Sequence, residues 1–148
     1  MEKLLILGVG NALRSDDGVG PYVAARLAAA GLPARVHEGD GTGIIDAMSG
    51  VGALVVVDAT RGGAAPGTRV RLDARAAPLP AAFFHYSTHR FGLAEAVETA
   101  RALDLLPPVL IVHGIEGADF GPGEGLSAPA AMAAGALVQE LRTAYGRA

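Results

Sequence analysis

Three blocks of consecutive apolar residues divide the chain, at residues 3–8, 53–58 and 109–114. Their apolar residues occupy successive positions, which is typical of parallel strands that are covered on both faces. Residues 34–38 form another candidate strand. Residues 68–73 alternate apolar with charged side chains, as an edge strand does, and this strand is a candidate for antiparallel pairing. The pattern therefore predicts about five strands.

Helical periodicity separates these strands and follows the last one. Helices are predicted at about 21–30, 43–50 and 90–103, and a fourth is predicted to begin after Ser127 as its N-cap. Strands that alternate with helices predict a three-layer α/β fold, in which a mostly parallel, twisted sheet of about five strands has helices on both faces. We expect a single domain over residues 1–148.

The composition excludes several classes of protein. Hydrophobic residues make up 51% of the chain and charged residues 18%, which favours a buried core over disorder. The net charge is −3 and the basic residues are scattered, so no nucleic-acid partner is expected. The absence of cysteine excludes disulfides and thiolate metal sites. No apolar run approaches the ~20 residues of a membrane span and no signal peptide is recognisable, so we expect a cytoplasmic protein.

Candidate catalytic residues follow the predicted strands. Ligands of open α/β sheets bind beyond the carboxyl ends of the strands. There the sequence places Asp17 in a glycine-rich stretch, Asp58 after the third strand and His89 at the entry to the third helix. Two carboxylates and an imidazole suit a divalent ion such as nickel, zinc or manganese. Each residue alone also fits a structural role, at a helix terminus, a turn or a cap.

A dinucleotide site is an alternative for the same stretch. Gly8 and Gly10 follow a strand as in a pyrophosphate loop, and Glu38 lies at a suitable distance along the chain to bind a ribose. However, Leu13 occupies the position of the third glycine, and the two neighbouring aspartates would repel a diphosphate. The sequence therefore favours a metal site over a nucleotide site.

Four short motifs occur in order along nearly the whole chain. They are Gly8-Val9-Gly10-Asn11 with Asp16-Asp17-Gly18-Val19-Gly20, Val57-Asp58-Ala59, Ser87-Thr88-His89 with Gly92-Leu93, and Gly125-Leu126-Ser127. In this order they resemble the motifs of the nickel–iron hydrogenase maturation endopeptidases. One departure concerns the acidic residue that follows the second strand of that family, a role that here is left open between Glu38 and Asp40.

The resemblance implies a hydrolase that removes the C-terminal extension from a [NiFe]-hydrogenase large-subunit precursor. We expect the protein to be monomeric. The resemblance also implies that Asp17, Asp58 and His89 are both the catalytic residues and the metal ligands. Nickel would be recognised in the precursor and would not be a permanent cofactor. Two alternatives are a non-catalytic, nickel-binding hydrogenase assembly factor and, with less support, a nucleotide-binding oxidoreductase.

The residues themselves restrict the mechanism only in part. The candidate hydroxyls of Ser15, Ser87 and Thr88 have no recognisable base and orienting acid, so an acyl-enzyme is not supported. A metal-activated water and a carboxylate acting as general base both remain open. Asn11 fits either an oxyanion donor or a turn residue.

Other residues are expected to be structural. The histidines His37, His85 and His113 are predicted to have structural or surface roles. The pair Phe83-Phe84 predicts a partner-binding patch if it is exposed and loop packing if it is buried.

Overall fold

The computed structural model describes residues 3–84 and 91–146. The strands are β1 (Leu4–Val9), β2 (Ala34–His37), β3 (Ala53–Thr60), β4 (Arg69–Asp73) and β5 (Val109–Glu116); the helices are α1 (Val19–Ala29), α2 (Gly41–Ala47), α3 (Leu93–Ala102) and α4 (Ala128–Tyr145), with short 3₁₀ helices at Ser15–Gly18 and Ala81–Phe84. These elements confirm the predicted α/β fold. No helix within the described ranges is both long and apolar enough to cross a membrane.

The five strands form one sheet in the order β2-β1-β3-β5-β4. All neighbouring pairs are parallel except β4 with β5, which confirms the antiparallel edge strand. From β1 the chain continues to β2 on one side of the sheet and then to β3 on the other. This change of direction opens a crevice between the carboxyl ends of β1 and β3, where ligands of such sheets bind.

Two hydrophobic cores cover the two faces of the sheet. Helices α1 and α4 pack on one face against Ile6 and Val55, and helices α2 and α3 pack on the other against Leu7 and Val56. Successive strand residues point to opposite faces, so a strand buried on both faces needs apolar residues at every position. The uninterrupted apolar blocks of the sequence have this origin.

Two glycines allow the start of α1 to lie against the central strands. A Cβ atom on Gly8 would collide with the carbonyl oxygen of Gly20, and one on Gly20 would collide with that of Val9 and lie 2.6 Å from that of Val57. In a dinucleotide-binding loop, the third glycine allows the helix to pack closely on the strand. Here Gly20 has that role, and Leu13 occupies the position where the third glycine would lie. The longer loop between β1 and α1 is consequently available to carry acidic side chains.

Two strands extend further than predicted. Asp58 was predicted to follow the third strand, and the last strand was predicted to end near residue 114; both predictions were wrong. The strand β3 continues to Thr60 and β5 to Glu116, because these two strands pair with each other to their ends. The neighbouring pairing of β1 with β3 ends at Val57. Asp58 therefore lies within β3, one residue beyond the last residue of β3 that pairs with β1.

Candidate active site

A cavity of about 520 Å³ opens at the carboxyl ends of β1, β2 and β3. The loop that follows β1 forms much of its wall, and further walls come from the residues after β2, from the 3₁₀ helix at Ala81–Phe84 and from the start of α3. Among the described residues, the charged side chains that line it are Arg14, Asp17, Glu38 and Asp58. The cavity thus lies at the crevice that the strand order predicts, and it contains both predicted carboxylates.

Backbone groups hold both carboxylates in place. Asp17 belongs to the 3₁₀ helix at Ser15–Gly18, and its Oδ2 accepts a hydrogen bond from the Asn11 N–H at 3.0 Å. In Asp58, Oδ1 accepts a hydrogen bond from the Ala59 N–H at 2.8 Å. The two residues are only 7% and 5% exposed. Burying two carboxylates in one cavity is costly unless a cation compensates their charge.

The third predicted residue, His89, lies outside the described residues, as do Ser87 and Thr88. Within residues 3–84 and 91–146, no three His, Asp or Glu side chains are grouped so that they could hold a metal ion. A site with three protein ligands at this cavity would therefore need a donor from another part of the chain.

Asp16, the neighbour of Asp17, is fully buried and has a different environment. Its Oδ2 accepts hydrogen bonds from the Ala118 N–H at 2.7 Å, the Asp119 N–H at 3.2 Å and the Ser127 hydroxyl at 2.7 Å, and its Oδ1 accepts one from the Ser127 N–H at 2.7 Å. Burial raises the pKa of Asp16, but these hydrogen bonds together lower it below its ordinary value. Asp16 therefore fastens the 3₁₀ helix that presents Asp17 to the cavity.

Ser127 occupies the predicted N-cap position of α4, but its side chain makes no capping hydrogen bond. Its hydroxyl donates to Asp16 instead. The prediction was right about where the helix begins and wrong about what the serine side chain contacts, because the hydroxyl is oriented toward the buried carboxylate of Asp16.

Replacing Asp16 by asparagine should destabilise the fold by about 2 kcal/mol or more, because the new amide group turns a donor toward backbone N–H groups that need an acceptor. A carboxylate whose pKa is lowered by folding stabilises the native state above its unfolded pKa, and this stabilisation is lost as the pH falls through the folded pKa. Urea unfolding at pH 7 and pH 3 should therefore show a smaller acid-induced loss in Asp16→Asn than in wild type. Equal unfolding midpoints at pH 7 would contradict this role.

The two acidic candidates after β2, Glu38 and Asp40, have different positions in the structure. Glu38 lines the cavity. Asp40 is the N-cap of α2, where its Oδ2 accepts hydrogen bonds from the Gly43 N–H at 2.9 Å and the Thr42 hydroxyl at 3.2 Å. The Gly43 hydrogen bond is the main cause that lowers the pKa of Asp40. This cap also explains why α2 begins two residues earlier than predicted, and an aspartate at this spacing could have been recognised from the sequence.

Other contacts of the loops are structural. The Asn11 side chain accepts a hydrogen bond from the Leu13 N–H at 2.9 Å and so closes a turn. His37 accepts one from the Gly39 N–H at 2.9 Å. His113 is buried in β5, and burial lowers its pKa. His85 lies outside the described residues.

The aromatic pair packs internally. Phe84 is only 6% exposed and contributes to both the core and the cavity wall, and Phe83 packs against the same core. The pair therefore fits loop packing and not an exposed patch. The positions of Arg14 and Val36 in the cavity lining were not predicted from the sequence. Arg14 could have been suspected from its position in the same loop as Asp17, but no motif indicates Val36.

The fold and cavity define a doubly wound α/β protein with a buried acidic site at its topological switch point. The family model described as HycI, hydrogenase maturation protease, matches residues 39–144. The chain belongs to the hydrogenase maturation protease family. It is 30% identical over 128 residues to the hydrogenase expression/formation protein HupD of Rhodobacter capsulatus, a match that covers 81% of this chain and 61% of that protein. The chain thus spans about three fifths of the length of the curated relatives it matches.

Solved structures show the same fold. The endopeptidase HycI from Escherichia coli superposes with a TM-score of 0.70 at 26% identity, over 95% of this chain and 90% of that one. The hydrogenase maturating endopeptidase HybD from E. coli superposes with a TM-score of 0.72 at 24% identity, over 97% and 94% of the two chains.

Proposed function

We propose that this protein is an endopeptidase that removes the C-terminal extension from a nickel-loaded [NiFe]-hydrogenase large-subunit precursor. The observation that supports this most is the pair Asp17 and Asp58, two buried carboxylates in one cavity at the switch point of the sheet. Family membership supports the reaction class, since an E. coli protein of the same fold is described as an endopeptidase.

In this proposal Asp17, Asp58 and His89 bind the nickel ion that the precursor carries. Carboxylate oxygens and imidazole nitrogen are suitable ligands for such an ion. The charged groups in the described cavity lining are three carboxylates and one guanidinium, so the cavity favours a cation. The nickel ion of a loaded precursor brings positive charge to this acidic lining, and a precursor without nickel does not. This difference in charge supports selection for the loaded precursor.

Hydrolysis adds a water molecule to the scissile carbonyl, breaks the C–N bond and releases the extension as an amine. A carboxylate in the cavity can orient the attacking water, accept its proton and return that proton to the leaving nitrogen. The hydroxyl of Ser15 donates to the Gly121 carbonyl oxygen at 2.9 Å, so it is engaged in holding the loop. This contact favours attack by water over attack by Ser15.

Incubation with nickel-loaded and metal-free precursor tests the proposal. We expect intact-mass spectrometry to show a shortened large subunit and a released peptide only with the nickel-loaded precursor. Binding of the loaded precursor without any loss of mass would contradict the protease and favour an assembly factor. Saturable binding of a nicotinamide nucleotide with no cleavage would favour the oxidoreductase.

A further inference from the structure

We infer that the open edge of β2 binds an extended segment of the precursor as an additional strand, and that this strand leads the scissile region into the acidic cavity. The inference rests on the proposed function, because the occupant is the peptide next to the nickel site of that substrate. The strand β2 is the outermost strand on its side of the sheet, and its sheet partner is β1.

The register shows which backbone groups of β2 face outward. The Ile6 N–H donates to the Pro33 carbonyl oxygen at 2.8 Å, and the Gly10 N–H donates to the His37 carbonyl oxygen at 3.0 Å. In a parallel pair, the backbone N–H and C=O groups of alternate residues point toward the neighbouring strand. In β2 these are the backbone groups of Arg35 and His37, which point toward β1. The N–H and C=O of Val36 consequently face away from the sheet, and within the described residues Val36 makes no backbone hydrogen bond outside the sheet.

This edge is continuous with the cavity. Val36 and Glu38 both line it, and Leu13 lines it from the loop that follows β1. Val36 is 50% exposed and Leu13 is 61% exposed, so they form an apolar entrance next to the acidic site. Main-chain pairing on an open edge provides affinity for an extended peptide, and the adjacent side chains provide selectivity. We expect an apolar residue of the precursor to contact Val36 and Leu13.

The charges support this occupant at this edge. Among the described residues that line the cavity at the end of β2, carboxylates outnumber guanidinium groups, so this lining is complementary to a peptide that holds a nickel ion. The other edge strand, β4, is different, because its outward-facing residues are Arg69, Arg71 and Asp73. Charged side chains on an edge oppose the addition of a strand. Of the two edges, β2 is the one suited to receive the substrate.

Val36→Pro tests the edge directly, because it removes one outward N–H and leaves the groups that face β1 unchanged. We expect it to raise the KM for nickel-loaded precursor about tenfold while kcat changes by less than about twofold. The matched control is Arg71→Pro, which removes an outward N–H from the β4 edge and should change neither constant. An unchanged KM in Val36→Pro would overturn the inference, although cleavage itself would still support the proposed function.

A second measurement uses the wild-type chain and does not depend on how the variants fold. Unlabelled synthetic peptide spanning the precursor cleavage region is added to ¹⁵N-labelled protein. We expect slower amide exchange at Val36, with Arg35, His37 and Arg71 little changed. Protection at Arg71 and not at Val36 would overturn the inference, as would protection of Val36 that rises with protein concentration alone, which indicates pairing between two copies. Protection of Val36 without any cleavage of loaded precursor would support the edge site and contradict the protease.

Discussion

Asp58→Asn should reduce processing of nickel-loaded precursor at least about 10²-fold while the protein remains folded. Asparagine has the size of aspartate, and its side-chain oxygen can still accept the hydrogen bond from the Ala59 N–H. The change therefore removes the charge and keeps this hydrogen bond. Intact-mass time courses should show almost no shortened product, and the urea midpoint should stay close to that of wild type.

Asp73→Asn is the matched control for this prediction. Asp73 lies on β4 at the far edge of the sheet and is exposed, so its replacement should leave processing unchanged. Asp17→Asn and His89→Ala should behave like Asp58→Asn. If Asp58→Asn processes precursor at the wild-type rate, Asp58 does not participate in the reaction, and an unfolded Asp58→Asn would assign this residue a structural role.

Gly20→Ala should destabilise the protein by more than about 3 kcal/mol, at or above the upper end of the usual cost of overpacking. The added Cβ would collide with the Val9 carbonyl oxygen and lie 2.6 Å from that of Val57, and both are backbone atoms of buried strands. A flexible side chain could move aside, but these strands cannot shift without disrupting the sheet. Urea unfolding monitored by circular dichroism should show the loss directly.

Gly135→Ala provides the control, because Gly135 also lies within a helix and no neighbouring atom lies within 4 Å of the added Cβ. Alanine loses less conformational freedom on folding than glycine, so this variant should be about 0.5–1 kcal/mol more stable than wild type. Similar unfolding midpoints for Gly20→Ala and Gly135→Ala would contradict the close contact between α1 and the central strands.

The fold was predictable because burial on both faces leaves a direct trace in the sequence, namely successive apolar residues within each strand. The ends of β3 and β5 were not, because Asp58, Thr60 and Glu116 are polar and belong to strands only through the pairing of β3 with β5. The Glu116 carboxylate accepts hydrogen bonds from the Thr60 hydroxyl and the Gly62 N–H, a network between distant segments that no local pattern shows.

Asp17 and Asp58 were predictable as site candidates from their order relative to the strands and from the family resemblance. The different roles of Asp16 and Asp17 were not, since adjacent aspartates look alike in a sequence. The two aspartates differ because the backbone N–H groups of Ala118 and Ser127, more than 100 residues further along the chain, bind the Asp16 carboxylate in the interior. The cavity position of Val36 likewise depends on the tertiary placement of β2 beside the loop that follows β1.

We propose above that Asp17 and Asp58 bind the nickel ion carried by the precursor. Nickel K-edge X-ray absorption tests it most directly, with the loaded precursor measured alone and after mixing on ice with an equimolar amount of this protein, frozen before cleavage. We predict additional oxygen neighbours around nickel in the mixture, and their loss when the Asp17→Asn, Asp58→Asn double variant replaces the wild type. A nickel spectrum that is identical with and without the wild-type protein, in a sample where the two proteins are bound, would contradict the claim.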